Sequence, residues 1–214
     1  MAKELVDIFD DNYKHIGVVE KDEAHNKGLW HRAFHCWIIQ ENGNVLLQLR
    51  SKDKLSYPNK LDISAAGHLK AGEEPVEGVR EIEEELGIEV NPKDLIDLGM
   101  SIMVCDVEND RIKPFIDRAF GHTYFYKSKI AIKDYTLQTE EVDGLFEISP
   151  EDGLKLFAEE VESVDVVGVI REETNNIQSR KITINDFVDY DKNYYLKVFI
   201  MADRLKKGEK YLAI

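Results

Sequence analysis

Apolar and polar residues alternate in short blocks through the first fifty positions, the two-residue period of half-buried strands. LVDIFD (residues 5–10) and HIGVVEK (15–21) predict a hairpin turning across Asp10 to Lys14. FHCWIIQ (34–40) and VLLQLRS (45–51) predict a second hairpin, bent at Glu41-Asn42-Gly43-Asn44, where Asn-Gly accepts the positive φ angles of a tight turn. LIDLGMSIMVC (95–105), RAFGHTYFYKSK (118–129), EVDGLFEIS (141–149) and SRKITI (179–184) read as further strands. Between them the period lengthens. Val76, Val79, Ile82 and Leu86 recur at helical spacing behind Pro75 and ahead of Gly87, which predicts one helix with Pro in its first turn and Gly at its stop. SPEDGLKLFAEEV (149–161) opens like a capped helix at Ser149 or Pro150, and residues 186–208 predict a long helix with a broad apolar arc: Phe187, Tyr190, Tyr194, Leu196, Val198, Phe199 and Met201. Strands mixed with helices predict an α/β fold, a sheet sandwiched by helices.

The chain has 214 residues, 43% of them hydrophobic, enough for a single sizeable core. No repeat, low-complexity tract or Pro/Gly linker divides it. The formal charge of −14 argues against duplex nucleic acid or an anionic membrane as partner. An anionic small molecule then needs local cations, and RSKDKLSYPNK (50–60) supplies Arg50, Lys52, Lys54 and Lys60; Arg50 and Lys54 are the preferred phosphate contacts, against the plainer reading of a solvated loop. No apolar run approaches a membrane span and no signal peptide opens the sequence, so a cytoplasmic location is expected. Cys36 and Cys105 lack metal-ligand spacing and read as reduced, buried residues. The last helix offers either a cap on the core or a homodimer surface, and core packing suits its aromatic stripe better.

The densest chemistry lies in GHLKAGEEPVEGVREIEEELGI (67–88). Within residues 73–85, seven glutamates, at 73, 74, 77, 81, 83, 84 and 85, face one cation, Arg80. At 100° per residue Glu77, Glu81, Glu84 and Glu85 share one side of the helix, predicting a wet acidic face. Like charges at i,i+4 each cost roughly 0.2–0.5 kcal/mol. A hard divalent cation such as Mg²⁺, which takes carboxylate oxygens, would offset that cost. Charge runs on helices usually just face water, and the spacing alone does not decide between the two.

The wording of the segment does more. It resembles the Nudix box, Gly, five residues, Glu, seven residues, then Arg-Glu-U-x-Glu-Glu-x-Gly-U with U aliphatic. Gly67 and Glu73 fit the first half and Arg80 to Ile88 fit every fixed position of the second, with six residues instead of seven between Glu73 and Arg80. The resemblance implies a Nudix-type α/β/α sandwich with a mixed β-sheet. It implies that Glu81, Glu84 and Glu85, with the carbonyl of Gly67, bind Mg²⁺ or Mn²⁺, that Arg80 pairs with box glutamates, that Glu73 braces the loop and that Gly87 ends the helix. The implied reaction is metal-assisted hydrolysis of a small-molecule diphosphate, a nucleoside diphosphate derivative or a related organic pyrophosphate. On this reading residues 1–27 are an N-terminal β-hairpin packed on the core, 28–165 the Nudix hydrolase domain and 166–214 a C-terminal strand and helix extension of the same globule.

AHNKGLWHRAFHCWII, LLQLRS and YPNKLDISAAGH also resemble the branch of Nudix proteins near the isopentenyl-diphosphate isomerases. In those enzymes three histidines and acids bind a metal, which makes His25, His31 and His68 candidates for a second site. The isomerase cysteine before Gly-His is Ala66 here, and the later acidic pair falls near Asp117-Arg118-Ala119-Phe120, with at most one carboxylate. Methyl and phenyl groups transfer no proton, so isomerization is the runner-up. A noncatalytic Nudix-fold ligand-binding regulator is the third reading; its usual mark, eroded box acids, is absent. Glu140, or Glu141 beside it, is a candidate general base, against the reading of an exposed acidic turn. Trp30, Trp37 and Tyr57 lie in apolar contexts that suit core packing better than base stacking.

Overall fold

A computed structural model describes residues 3–109, 112–171 and 177–214. Its strands and helices, in chain order, are β1 (Leu5–Phe9), β2 (His15–Glu20), α1 (Lys21–Lys27), β3 (Trp30–Gln40), β4 (Val45–Arg50), β5 (Leu61–Asp62), β6 (Ala65–His68), α2 (Arg80–Leu86), β7 (Ile96–Asn109), β8 (Ile112–Ser128), β9 (Val142–Ile148), α3 (Pro150–Phe157), β10 (Val164–Ile170), β11 (Gln178–Ile182) and α4 (Lys192–Lys206). The strands join in one sheet ordered β11-β10-β9-β4-β3-β1-β2, with β5 on β4, β6 and β8 on β3, and β7 on β8. The sheet is mixed: β3 and β8 run parallel from His31↔Ala119 to Gln40↔Ser128, and the other pairings between strands are antiparallel.

Strand alternation makes the layers. On β3, Phe34, Cys36 and Ile38 join Leu46 and Leu145 under Ile82 and Leu86 of α2. The opposite residues, Ala33, Trp37 and Ile39, join Leu47 and Phe146 under Leu156 and Phe157 of α3 and Tyr195, Val198 and Phe199 of α4. This is the expected α/β/α sandwich, and α4 packs its aromatic side into the larger core. Phe157 stacks on Tyr195 and Phe199 at centroid distances of 4.6 and 5.7 Å. Gly153 of α3 permits the approach, since a Cβ there would meet Phe199 at 2.3 Å.

Both predicted hairpins form, but the second opens beyond its turn: only Ile39↔Val45 pairs directly, and β6 and β5 insert beside β3 and β4. That insertion carries Gly67 and His68 against β3. Trp37 is fully buried, and Trp30 lies over Phe120 at 4.9 Å with its N–H on Asp11. Cys36 and Cys105 are free and buried.

Several element ends differ from the sequence pattern. The predicted box helix divides into a 3₁₀ turn, Pro75–Val79, and the seven-residue α2. The long final helix begins at Lys192, capped by Asp191, because Phe187 bridges Leu61, Val188 N–H donates to Leu61 O, and Asp186 is occupied capping Thr183. Lys21, expected at a strand end, starts α1, and β10 has a strand pattern that the reading of the sequence passed over. Among the described residues, no helix is long and apolar enough to cross a membrane.

Candidate active site

The box acids sit where α2 meets β6. Arg80 organises them: its Nε and Nη2 donate to the two oxygens of Glu73 at 2.8 and 3.0 Å, Nη2 also reaches His68 O at 3.0 Å, and Nη1 donates to Glu81 and, at 3.3 Å, to Glu84. Glu73 Oε2 accepts the Lys70 N–H at 2.7 Å, so it ties the loop to the helix. Most of the six residues between Glu73 and Arg80 lie in the 3₁₀ turn Pro75–Val79, a form that advances about 2.0 Å per residue against 1.5 Å in an α-helix. Glu77 does not share the acidic face; it closes a capping box by accepting the Glu74 N–H at 2.7 Å.

Nor is that face wet. Glu85 is 6% exposed, and its Oε2 accepts from Gln48 Nε2 at 2.9 Å and Ala66 N at 3.2 Å. Burial, with the charge of Glu81 added, pushes Glu85 up to about 8. Burial also raises Glu81, against the pull of Arg80. Glu81 lies so close to β6 that a Cβ on Gly67 would stand 2.2 Å from its carboxyl carbon. Glu84 is exposed. Arg80 is shared by Glu73, Glu81 and Glu84, the buried Glu85 takes its bonds from Gln48 and Ala66 instead, and a hard cation fits the remaining deficit of positive charge.

These acids line one side of a cavity of about 720 Å³ that also takes in Lys21, Lys54, Lys70, Met103, Phe115 and Tyr190. Glu140 is exposed on its rim, and Glu141 beside it pairs with Lys54. Arg50, expected as a phosphate contact, is committed elsewhere: it donates to Asp62 at 2.8 Å, Ser56 O at 2.9 Å and Tyr57 O at 3.2 Å, and so folds the 51–60 loop. Tyr57 O–H lies 3.0 Å from Cys105 Sγ, and Trp37 N–H donates to Tyr194 in the core.

On the other side of His68 the fold gathers a second cluster. His25 comes from α1, His31 from β3, His68 from β6 and Asp117 from β8, two residues before the partner of His31 in the parallel register. Their ligand atoms all lie within 4.8 Å of one another. His31 Nδ1 donates to Leu29 O, an acceptor only, at 2.9 Å, which leaves Nε2 as the ring nitrogen that faces Asp117. That buried Nε2 and Asp117 Oδ1, 3.3 Å apart, have no hydrogen-bond partner among the described residues. Burial, helped by His31, brings His25 down to about 4, and burial also holds His68 well below the ordinary histidine value. Both are neutral near pH 7, the form that binds metal. Asp117 was legible in the sequence as the one carboxylate near the later acidic pair of the isomerase-like branch, with nothing to show that the sheet register would set it beside His31.

Comparison with known proteins agrees with this geometry. A profile described as the NUDIX domain matches residues 29–164. An uncharacterized Nudix hydrolase of Clostridium acetobutylicum is 38% identical over 207 residues, which cover 94% of this chain and 98% of that one. Isopentenyl-diphosphate Delta-isomerase 1 of Photorhabdus laumondii is 39% identical over 90 residues, 41% of this chain and 51% of the isomerase. A crystal structure of a Deinococcus radiodurans protein superposes with a TM-score of 0.52 at 20% identity, covering 73% of this chain and 90% of that one.

Proposed function

The chain belongs to the Nudix family, whose hydrolases act on pyrophosphate bonds, and from that premise we propose that it cleaves the diphosphate linkage of a nucleoside diphosphate derivative or a related small organic pyrophosphate with Mg²⁺ or Mn²⁺. The observation that carries the reading is the buried Glu85 beside the largely desolvated Glu81, both at a cavity with too little positive charge around them. Glu81, Glu84 and Glu85, with the carbonyl of Gly67, hold the divalent ion. Such ions offset phosphate charge and acidify water, which is the chemistry hydrolysis needs. Arg80 fixes the directions of Glu81 and Glu84, and Glu73 fixes Arg80. Lys54, on the loop that Arg50 folds, meets substrate phosphate when it leaves Glu141. Glu140, on the rim, is the group proposed to take the proton from the attacking water. His25, His31, His68 and Asp117 form the proposed second metal site, supported by the unpartnered His31 Nε2 and Asp117 Oδ1.

The test is a panel of nucleoside diphosphate sugars, dinucleoside polyphosphates and organic diphosphates, assayed for phosphate-containing products with and without Mn²⁺. Expected is metal-dependent turnover that falls at least ~100-fold in Glu84→Gln, about the size seen when a charge-stabilising group is removed. An inert panel with one tightly bound compound would support the regulator instead. The histidine cluster favours a second reading, isomerization of an allylic or homoallylic diphosphate. Ala66 opposes it, since a methyl group stands where the isomerases carry their cysteine, and the thiol that does line the cavity, Cys105, comes from β7 and lies against Tyr57 O–H. Conversion of isopentenyl diphosphate without release of phosphate would decide for it.

A further inference from the structure

Ahead of its terminal Arg50 the strand VLLQLR is apolar but for one buried amide. Gln48 is 4% exposed, paired in register with Leu145 on one side and Asp62 on the other, and Leu46 beside it on the same face joins the core under α2. A leucine or valine would fill such a position, and burying an amide there is unfavourable unless its polar atoms are bonded. Its N–H goes to Glu85 Oε2, the same oxygen that accepts the Ala66 N–H. The two donors come from different strands, β4 and β6, and converge on one atom of a side chain carried by α2. No described residue donates to the other oxygen, Oε1, and Glu85 lines the cavity.

We infer that Gln48 is a positioning residue for the divalent-ion site: with the Ala66 N–H it clamps Glu85 Oε2, fixes the plane of the carboxylate and presents Oε1 to the ion. The inference rests on the metal role given to Glu85 above. A carboxylate held by one donor can swing about its last torsion, whereas two donors from the rigid sheet leave one orientation. Groups that orient a ligand in this way are worth about 10- to 100-fold in metal affinity or activity. Gln48 touches neither ion nor substrate, so its effect belongs in the ion's affinity and in kcat, while KM for the diphosphate stays nearly constant.

The experiment titrates Mn²⁺ into the metal-free protein and follows free Mn²⁺ by electron paramagnetic resonance. Gln48→Met, similar in length and without a donor, is expected to weaken Mn²⁺ binding about tenfold or more and to lower kcat at saturating metal with KM within about twofold. Gln48→Glu, which turns an acceptor toward an acceptor, is expected to weaken it further, and it carries the test if the methionine variant does not fold. Leu46→Val, a packing change on the same face of the same strand, is the control and should leave Mn²⁺ affinity unchanged. Equal Mn²⁺ affinity in folded Gln48→Met and the unsubstituted protein overturns the inference, as does an equal loss in Leu46→Val. No Mn²⁺ binding by the unsubstituted protein would remove the metal reading itself, and this inference with it.

Discussion

Asp7 joins the N-terminal hairpin to the box loop: it accepts from Gly72 N at 2.8 Å, Arg32 Nη2 at 3.0 Å and His15 Nε2 at 3.0 Å, while Arg32 also donates to Glu73 O at 2.7 Å. Burial alone would raise its pKa, but the Gly72 N–H, His15 and Arg32 together bring it below the ordinary value of 3.8. A depressed carboxylate contributes stability that is complete above the unfolded pKa and is lost as pH falls through the folded one. Asp7→Asn is therefore expected to lower unfolding free energy by about 1–2 kcal/mol at pH 7, by analogy with other buried hydrogen-bonded charges, and by much less near pH 2. Urea unfolding across that range measures it, and a deficit independent of pH would refute the assignment. None of this was legible in the sequence, where Asp7 is a polar residue in an alternating strand. Glu81, Glu84 and Glu85 were legible as a group because helical geometry is local. The burial of Glu85 and the desolvation of Glu81 were not, because they depend on which side of α2 meets β4 and β6.

At the scale of elements, the box shows what a pattern can and cannot specify. Pro75 and Gly87 marked its ends, and Gly87 does take the left-handed conformation at φ 69°. The division into a 3₁₀ turn and a short α-helix was not marked by those residues; the 3₁₀ turn occupies most of the interval between the bonded Glu73 and Arg80. The last helix was overextended for a similar reason: Phe187 and Tyr190 continue its apolar stripe, yet Val188 pairs with Leu61 and draws the backbone straight. Packing between α3 and α4 gives a prediction at this scale. Gly153→Ala places a methyl in the ring of Phe199 and should cost about 1–3 kcal/mol, read from the shift in denaturant midpoint at constant slope. Hydrolysis per folded molecule should not change, since neither helix carries a box residue. A neutral Gly153→Ala would mean the two helices part more easily than their stacked rings indicate.

Over the whole molecule, fold class and layering were legible because apolar periods of two and 3.6 residues dictate which faces meet, but the strand order was not. The parallel pairing of β3 with β8 joins residues some ninety positions apart, and it alone puts Asp117 beside His31. If both proposed clusters hold ions, equilibrium dialysis against Mn²⁺ should give two ions per chain, and one in Asp117→Asn. Binding only to the folded state should also stabilise it by about 2.7 kcal/mol at one hundred times Kd, a rise of ~5–10 °C in Tm for a chain of this size, smaller in Glu85→Gln. A Tm indifferent to Mn²⁺ in the unsubstituted protein would count against both clusters. The two tryptophans of the chain stand at opposite ends of this architecture though they share β3. Trp30 is half-buried one position from His31, while Trp37 is sealed beside Tyr194. The protein thus carries its own pair of fluorophores, one that a small quencher reaches and one that stays dark to the quencher until the sheet itself comes apart.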